Sequence, residues 1–506
     1  MQRFSGQAQA ASLRIGPDMF QSIGVKPIIN CKGTYTIISG SQSLPEVKAA
    51  MEAASHHYVH MDELMEGVGR RLAELTGAEW GMVSNGCAAA LAHATAACMV
   101  GADPEKMQRL PHTAGLRNEV ISPDYSRNVY DHAVRGTGAK MVTVHTREEL
   151  VRAFNERTAM VMILAGPGDR GPLGLQVIAP IAKERGVPVL VDAAAERLKV
   201  PNVHLGAGAD LVTYSGGKCL RGPQAAGLLL GRKELVKAAW LHSAPHHAYG
   251  RPMKAGKEEV MGMLAAVEMW MKRDHDAEWK QWEEWIDTIG KSAARVNGVS
   301  FEILQPDSLS NNSPQIRIKW DGEKLGMGGQ ELEKLLLGGD PRIIVGGASG
   351  GRRGGVKNSS ITIMPYMMMP GDAKIAAERI HALLANPPKI ERPSAAAPSV
   401  TVSGQWDVEI EYILGKAKHK LVFEQQGGEL MGSHTGEFLS ADLRGTVEGD
   451  EVWARSSHAY EGTGIGYEFT GKAAGDTMSG TVDVGEYGKG KFTARRHVYG
   501  QRARRA

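Results

Sequence analysis

Little in this sequence is extreme, and what it lacks narrows the field. Cysteine is scarce: Cys31, Cys87, Cys98 and Cys219 fall at no metal-ligand spacing and at no disulfide-scaffold density, which suits a reducing compartment. No apolar run is long enough to span a bilayer, and the opening MQRFSGQAQAASLRIGPDMF holds no stretch of signal-peptide length. The chain is therefore expected to be cytoplasmic, without a membrane partner. An excess of either charge is missing too. With 59 basic and 56 acidic residues the formal charge is +3, so no global field recruits nucleic acid. Basic residues gather only at the tail, at Arg495, Arg496, Arg502, Arg504 and Arg505, where a frayed, solvated end is the ordinary reading.

What is present is ample. The 506 residues, 42% hydrophobic and 23% charged, can fill two or three cores. From EWGMVSNG onward the chain alternates short apolar runs with polar helical stretches: NEVISP, AKMVTV, AMVMILAG, PVLVDAAAE, ADLVTYSGG and AAGLLLG. Runs rich in Val, Ile and Leu without alternation suit strands buried on both faces of a largely parallel sheet. The architecture is α/β. A single long helical stretch is expected from Lys257 to about Gly290, its Met and Trp residues forming a core-facing stripe. VSFEILQP, QIRIKW, RIIVGG and SSITIMP then read as a smaller mixed sheet, closed by a helix. The Pro-, Ala- and Ser-rich segment from Asn386 to Val400 reads as a linker. Beyond it, segments of period two with turns about every ten residues indicate an antiparallel sandwich or barrel. GGELMGSHTG and AAGDTMSGTVDVG look alike there, as two hairpins would. The expected division is 1–256 for the N-terminal segment and large domain, 257–385 for connecting helix and small domain, 386–400 for the linker and 401–506 for the β domain with its tail.

Three features carry chemistry. In ADLVTYSGGKCLRGPQAAGLLLG, Lys218 leaves a strand through Ser-Gly-Gly. The glycines let backbone approach a ligand, Ser215 and the turn's N–H groups suit a phosphate, and a desolvated lysine forms Schiff bases. A solvated lysine in a hairpin is the plain alternative. Asp192 ends the apolar strand of PVLVDAAAE, 26 positions earlier. It is either a helix cap or the buried acid that keeps the ring nitrogen of pyridoxal 5′-phosphate (PLP) protonated. In VSNGCAAALAHATAA a Gly turn opens a helix of small residues, and Gly86, Cys87 and Ala88 form a natural phosphate cradle at its positive end. Anion turn, acid and lysine follow in that order, each after a strand. Open α/β sheets bind ligands at such carboxyl ends.

With INCKGTYTIISGSQSLPEVKAAMEAA, HMDELMEGVGRRLAELTGAEWGMVSNGCAAAL, YSGGKCLRGPQAAGLLLGRKEL and GRPMKAGKEEVMGMLAAVE, these motifs resemble the selenocysteine synthase-like group of PLP enzymes, and within it the D-glucosaminate-6-phosphate ammonia-lyase type. The likeness runs from about residue 20 to 386. It implies PLP fold type I (aspartate-aminotransferase-like), a Schiff base at Lys218, ring pairing at Asp192 and phosphate contacts near Gly86, Cys87 and Ser215. It also implies a homodimer or higher homo-oligomer with shared active sites. Arg251, Lys254 and Lys257 would then supply positive charge to phosphate or substrate, where a solvated face is the simpler reading. Tyr125 or Ser126 falls near the position that stacks on the ring, and Arg127 and His132 are neighbouring polar candidates, Arg127 for substrate. Selenocysteine synthases of this group carry an N-terminal helical domain for tRNA that has no counterpart ahead of these motifs, and the β domain lies beyond the resemblance.

The expected activity is elimination and deamination of a small anionic hydroxy-amino acid or amino-sugar acid to a 2-oxo acid and ammonia. Racemase, aminotransferase, β-replacement and selenium-transfer chemistry on aminoacyl-tRNA remain alternatives. A further alternative makes the PLP domain regulatory and the β domain a ligand- or partner-binding module. Its His434, His458 and His497 are expected to be isolated surface residues, with no second active site.

Overall fold

The computed structural model describes residues 13–351, 355–390 and 396–498. Arg502, Arg504 and Arg505 of the basic tail and 391–395 of the expected linker lie outside the described residues. By internal contacts the chain forms two units. One holds the residues up to Ser126 with Ala133–Ile390; the other holds Arg127–His132 with the residues after Ile390.

The first unit is built on a seven-stranded sheet. Its strands are β1 (Trp80–Ser84), β2 (Glu119–Pro123), β3 (Lys140–Val144), β4 (Thr158–Leu164), β5 (Val189–Asp192), β6 (Leu211–Ser215) and β7 (Gly227–Gly231). The order across the sheet is β1-β7-β6-β5-β4-β2-β3, and only β7 runs against its neighbours. The apolar runs are buried along their whole length in β1, β2, β5 and β7, as a sheet covered on both faces requires. Helix α1 (Gly86–Val100) follows β1 and is apolar on every side, because small residues let it lie buried against the sheet.

Register aligns the functional edge. Leu164 pairs with Asp192, Asp192 with Thr213, Ser215 with Gly227 and Gly227 with Ser84. The carboxyl ends of β1, β4, β5 and β6 therefore share one rim.

A second core gathers around the antiparallel sheet Gly346–Gly351, Gly355–Ile363, Gln315–Trp320 and Val299–Leu304, in that order. The strand Ile28–Asn30 pairs in parallel with Arg342–Ile344 and brings Cys31 into this core. The long helix expected from Lys257 is instead two helices, Lys257–Lys272 and His275–Ala293. Asp274 caps the second by accepting from the Ala277 N–H at 2.9 Å, and Arg273 is extended. Val260, Met263, Val267 and Trp270 of the first helix pack into the large core; Ile286, Ile289 and Ala293 of the second pack into the small one.

The second unit is a closed barrel of eight antiparallel strands, each paired with the next: β8 (Gly404–Glu411), β9 (Lys416–Gln426), β10 (Glu429–Thr435), β11 (Ser440–Glu448), β12 (Glu451–Tyr460), β13 (Thr463–Ala474), β14 (Thr477–Asp483) and β15 (Lys489–Arg496). Strand β15 returns to pair with β8, so no edge is left open. The two look-alike segments both enter through tight hairpins, at Gly427 and Gly475, each with positive φ. Inward residues Trp406, Leu421, Phe423, Phe469 and Phe492 fill the core in strict alternation with outward polar ones.

Candidate active site

Strand β1 ends at Ser84 and α1 begins two residues later. Gly86 sits at φ +77°, a conformation that side chains disfavour, and so turns the chain from strand to helix. The residue before it, Asn85, makes no cap to the helix; its Nδ2 donates to the Lys254 carbonyl at 2.8 Å. The first-turn N–H groups at Cys87 and Ala88 are thus left without a side-chain cap, at the positive end of a fifteen-residue helix. Strand β7 presses close beneath them. A Cβ on Gly227 would stand 2.4 Å from the Gly86 carbonyl carbon, so this glycine fixes how deep the helix start sits.

Asp192, 2% exposed, lies on the same rim. Its Oδ1 accepts from the Ala194 N–H at 3.0 Å and from the Cys87 thiol at 3.6 Å. The helix-cap alternative does not describe it, since the next helix, Val203–Gly206, is capped by Asn202. Burial pushes the Asp192 carboxyl up, against the Ala194 N–H, the nearby charge of Lys218 and the Cys87 thiol, which pull it down. Burial and Asp192 together push the Cys87 thiol well above its ordinary value, so it is a neutral donor. Thr213 stands 3.4 Å from that sulfur.

Lys218 follows β6 after Gly216 and Gly217. The turn is pinned by Gly216 N–H to Ala226 O, Gly222 N–H to Gly216 O and Arg221 N–H to Lys218 O, at 2.8 to 2.9 Å. Its outer side is held by Ser41, whose N–H donates to Gly217 O at 3.0 Å. The lysine is half-buried within electrostatic reach of Asp192 and Cys87. The structure therefore brings Gly86, Cys87, Ala88, Asp192 and Ser215 to one edge, with Lys218 in the turn above it.

The remaining candidates fall in different places. Lys254 reaches the rim through its carbonyl on Asn85, and Arg251 and Lys254 are exposed. Lys257 is paired with Glu258. Tyr125 packs its ring against Gly168 and donates to Leu173 O at 3.0 Å; Ser126 accepts from Leu164 N–H at 2.9 Å. Arg127 belongs to the second unit, where Asp131 at 2.6 Å and Glu461 pair its guanidinium; His132 in the same segment is exposed. No sequence pattern points to Ser41 or Ser122. Both hydroxyls are buried without a partner among the described residues, Ser41 beside the lysine turn and Ser122 near the end of β2. Only the fold could mark them, since serine in a loop or strand carries no pattern of its own.

An uncapped helix start, a buried acid and a lysine on one rim form a donor set that fits PLP: N–H groups for a phosphate, a carboxylate for a basic ring nitrogen and an amine for an aldehyde carbon.

Comparison with known proteins agrees. The family described as L-seryl-tRNA selenium transferase matches residues 118–281. D-Glucosaminate-6-phosphate ammonia lyase of Salmonella typhimurium (strain 14028s / SGSC 2262) is 30% identical over 339 residues, covering 65% of this chain and 89% of that protein. The 5′-C-glycyluridine monooxygenase-decarboxylase of a Streptomyces species is 33% identical over 310 residues, 57% of this chain and 74% of that one. Among solved structures, a D-glucosaminate-6-phosphate ammonia-lyase superposes with TM-score 0.64 at 26% identity, covering 73% of this chain and 98% of that chain.

Proposed function

The chain belongs to the PLP-dependent, fold type I, selenocysteine synthase-like group that includes D-glucosaminate-6-phosphate ammonia lyase, and from that premise we propose that it is a lyase removing ammonia from a small hydroxy-amino acid or amino-sugar acid. The observation that carries the reading is the shared rim: the buried Asp192, the uncapped start of α1 and the Lys218 turn meet on one sheet edge. Likeness to an ammonia lyase over most of its length supports the reaction class.

In this reading Gly86, Cys87, Ala88 and Ser215 would hold the phosphate, Asp192 the ring nitrogen and Lys218 the aldehyde carbon. When bound, PLP supplies an electron sink that acidifies the substrate's Cα–H and lets a β-hydroxyl depart. Lys218 Nζ would be the base that takes the substrate's Cα proton. The Cys87 thiol and the Ala194 N–H orient the Asp192 carboxylate while burial keeps water from it. The exposed Arg251 and Lys254 would draw an anionic substrate to the rim. The same reading carries a homo-oligomer with shared sites and no membrane partner; among the described residues no helix is long and apolar enough to cross one.

The test is product analysis. Purified protein is incubated with D-glucosaminate 6-phosphate and with D- and L-hydroxy-amino acids. Ammonia should appear in step with a 2-oxo acid. Racemised or transaminated products without ammonia would sink the lyase reading. A second reading has its own support, the 33% identity to a monooxygenase-decarboxylase. Oxygen uptake matched by carbon dioxide release would select it.

A further inference from the structure

Eight-stranded barrels are either filled by side chains or roomy enough for one small ligand. This barrel combines the two. Its inward positions are apolar from Trp406 to Phe423 and Phe492, and then the alternation continues with a different composition: His419, His434, Ser456, His458 and Tyr467. His434 and His458 are not the isolated surface residues that the sequence suggests. They are 0% and 2% exposed, and His419 is 6% exposed beside them. Their rings sit in a row, tilted against one another, with centroids 4.9 Å apart from His419 to His434 and 4.4 Å from His434 to His458. His497 is half-buried and pairs with Asp407 at 2.7 Å.

Hydrogen-bond accounting gives this row a direction. The buried Ser456 hydroxyl has one acceptor within reach among the described residues, His434 Nδ1 at 2.6 Å, and so it donates there. His434 must then carry its proton on Nε2 and donate to His419 Nδ1 at 2.7 Å. His419 is left with its proton on Nε2. Burial holds all three rings below the ordinary imidazole value, with repulsion from neighbouring rings adding to it at His419 and His434, so none offers a fixed charge.

That N–H edge meets a cavity of about 220 Å³ at the barrel mouth. A Cβ on Gly436 would lie 3.4 Å from His419 Cε1 and 3.6 Å from its Nε2, so a side chain there would crowd the edge. Phe438, Leu439 and Ile465 supply an apolar wall, Tyr467 a hydroxyl and Glu437 a carboxylate at the rim. His458 Nε2 is buried at the same cavity without a partner among the described residues. The volume exceeds the ~150 Å³ that admits benzene in an engineered apolar cavity.

We propose that the barrel mouth binds a small uncharged planar molecule, the size of one substituted ring, whose carbonyl or ring-nitrogen acceptor takes the His419 Nε2–H. Neutral rings and the Glu437 carboxylate disfavour an anion, and a ring without an acceptor leaves the His419 N–H unpaired. Benzamide and toluene, similar in size and differing in whether they carry an acceptor, test this by calorimetry on the full-length PLP-loaded protein. Benzamide should bind saturably and toluene at least tenfold more weakly. Gly436→Val, which crowds the mouth but leaves the histidines in place, should weaken benzamide at least tenfold, as should His419→Phe. If His419→Phe fails to fold, Gly436→Val alone decides. Tighter binding of toluene, no saturable benzamide binding, benzamide binding that Gly436→Val leaves unchanged, or a zinc ion bound by wild type and lost in His419→Phe would each overturn the proposal.

Discussion

Replacing Asp192 by Asn changes one atom in a site that burial has made sensitive to charge. The amide has the same shape, and its oxygen can still accept the Ala194 N–H that Oδ1 holds at 3.0 Å. Its Nδ2 cannot do what the second carboxylate oxygen would do in the proposed site, which is to hold a protonated ring nitrogen. At 2% exposure water cannot replace the missing partner. A hydrogen bond to a charged group in such surroundings is worth about 2–3 kcal/mol. At about 1.36 kcal/mol per decade of rate, turnover should fall roughly 30- to 150-fold. The melting temperature should barely move, because packing and the turn are retained. Three measurements separate the outcomes: ammonia release under saturating substrate, PLP per chain after dialysis, and thermal unfolding. Reduced turnover with PLP partly retained and an unchanged fold is expected. If Asp192→Asn turns over at the wild-type rate, Asp192 serves only as the acceptor for Ala194, and the ring has been placed wrongly.

Three further outcomes are expected. Purified protein should be yellow, and borohydride should bleach it while fixing the cofactor on Lys218; peptide mapping that finds the adduct on another lysine would refute the assignment. The barrel should lose stability in mild acid. The unfolded chain binds a proton at His434 near 6.5, whereas the buried ring is pushed down to about 3, so stability is full above pH 6.5 and falls as pH drops toward 3. At pH 5 the loss from this residue is about 2 kcal/mol, and hydrogen exchange in the barrel strands should show it shrinking in His434→Phe; equal pH dependence in both proteins would contradict the buried placement. Finally, a chain truncated after Ala385 should still take up PLP, since both hydrophobic cores of the first unit draw their buried residues from positions up to Leu384. Loss of PLP uptake on truncation would show that the barrel completes the site.

The sheet was legible because strands buried on both faces cannot afford polar alternation, and PVLVD, AMVMIL and GLLLG carry none. The grouping of the candidate residues was legible for a related reason: ligand chemistry on an α/β sheet collects at one rim, so order along the chain became proximity in space for Gly86, Asp192 and Lys218. The break between the two central helices was not. Apolar periodicity runs through Arg273, and what stops the helix is local: Asp274 turning its carboxylate to Ala277, while Arg273 reaches Glu278 and the Cys219 carbonyl. The histidines of the barrel were misplaced because period two names two faces without saying which is inside. The signal was nevertheless there. His419 is two and four residues from the inward Leu421 and Phe423, and His458 is four from the inward Ala454.

The closing seam of the barrel has a consequence for how such a chain could be assembled. Trp406 near the start of β8 lies opposite Arg496 at the end of β15, so the polypeptide enters and leaves at the same pole. Arg496 clasps that pole, bonding the carbonyls of Thr401 and Ser403 and lying 4.6 Å over the Trp406 ring. The histidine-bearing mouth is at the opposite pole, where β8 turns into β9 past Tyr412. A body closed in this way is a cassette. It exposes no unpaired strand to a new host and keeps its pocket at the pole away from the splice. A graft of residues 396–498 onto an unrelated carrier should therefore bring the pocket's lining with it, leaving behind the 127–132 segment whose Arg127 pairs with Glu461.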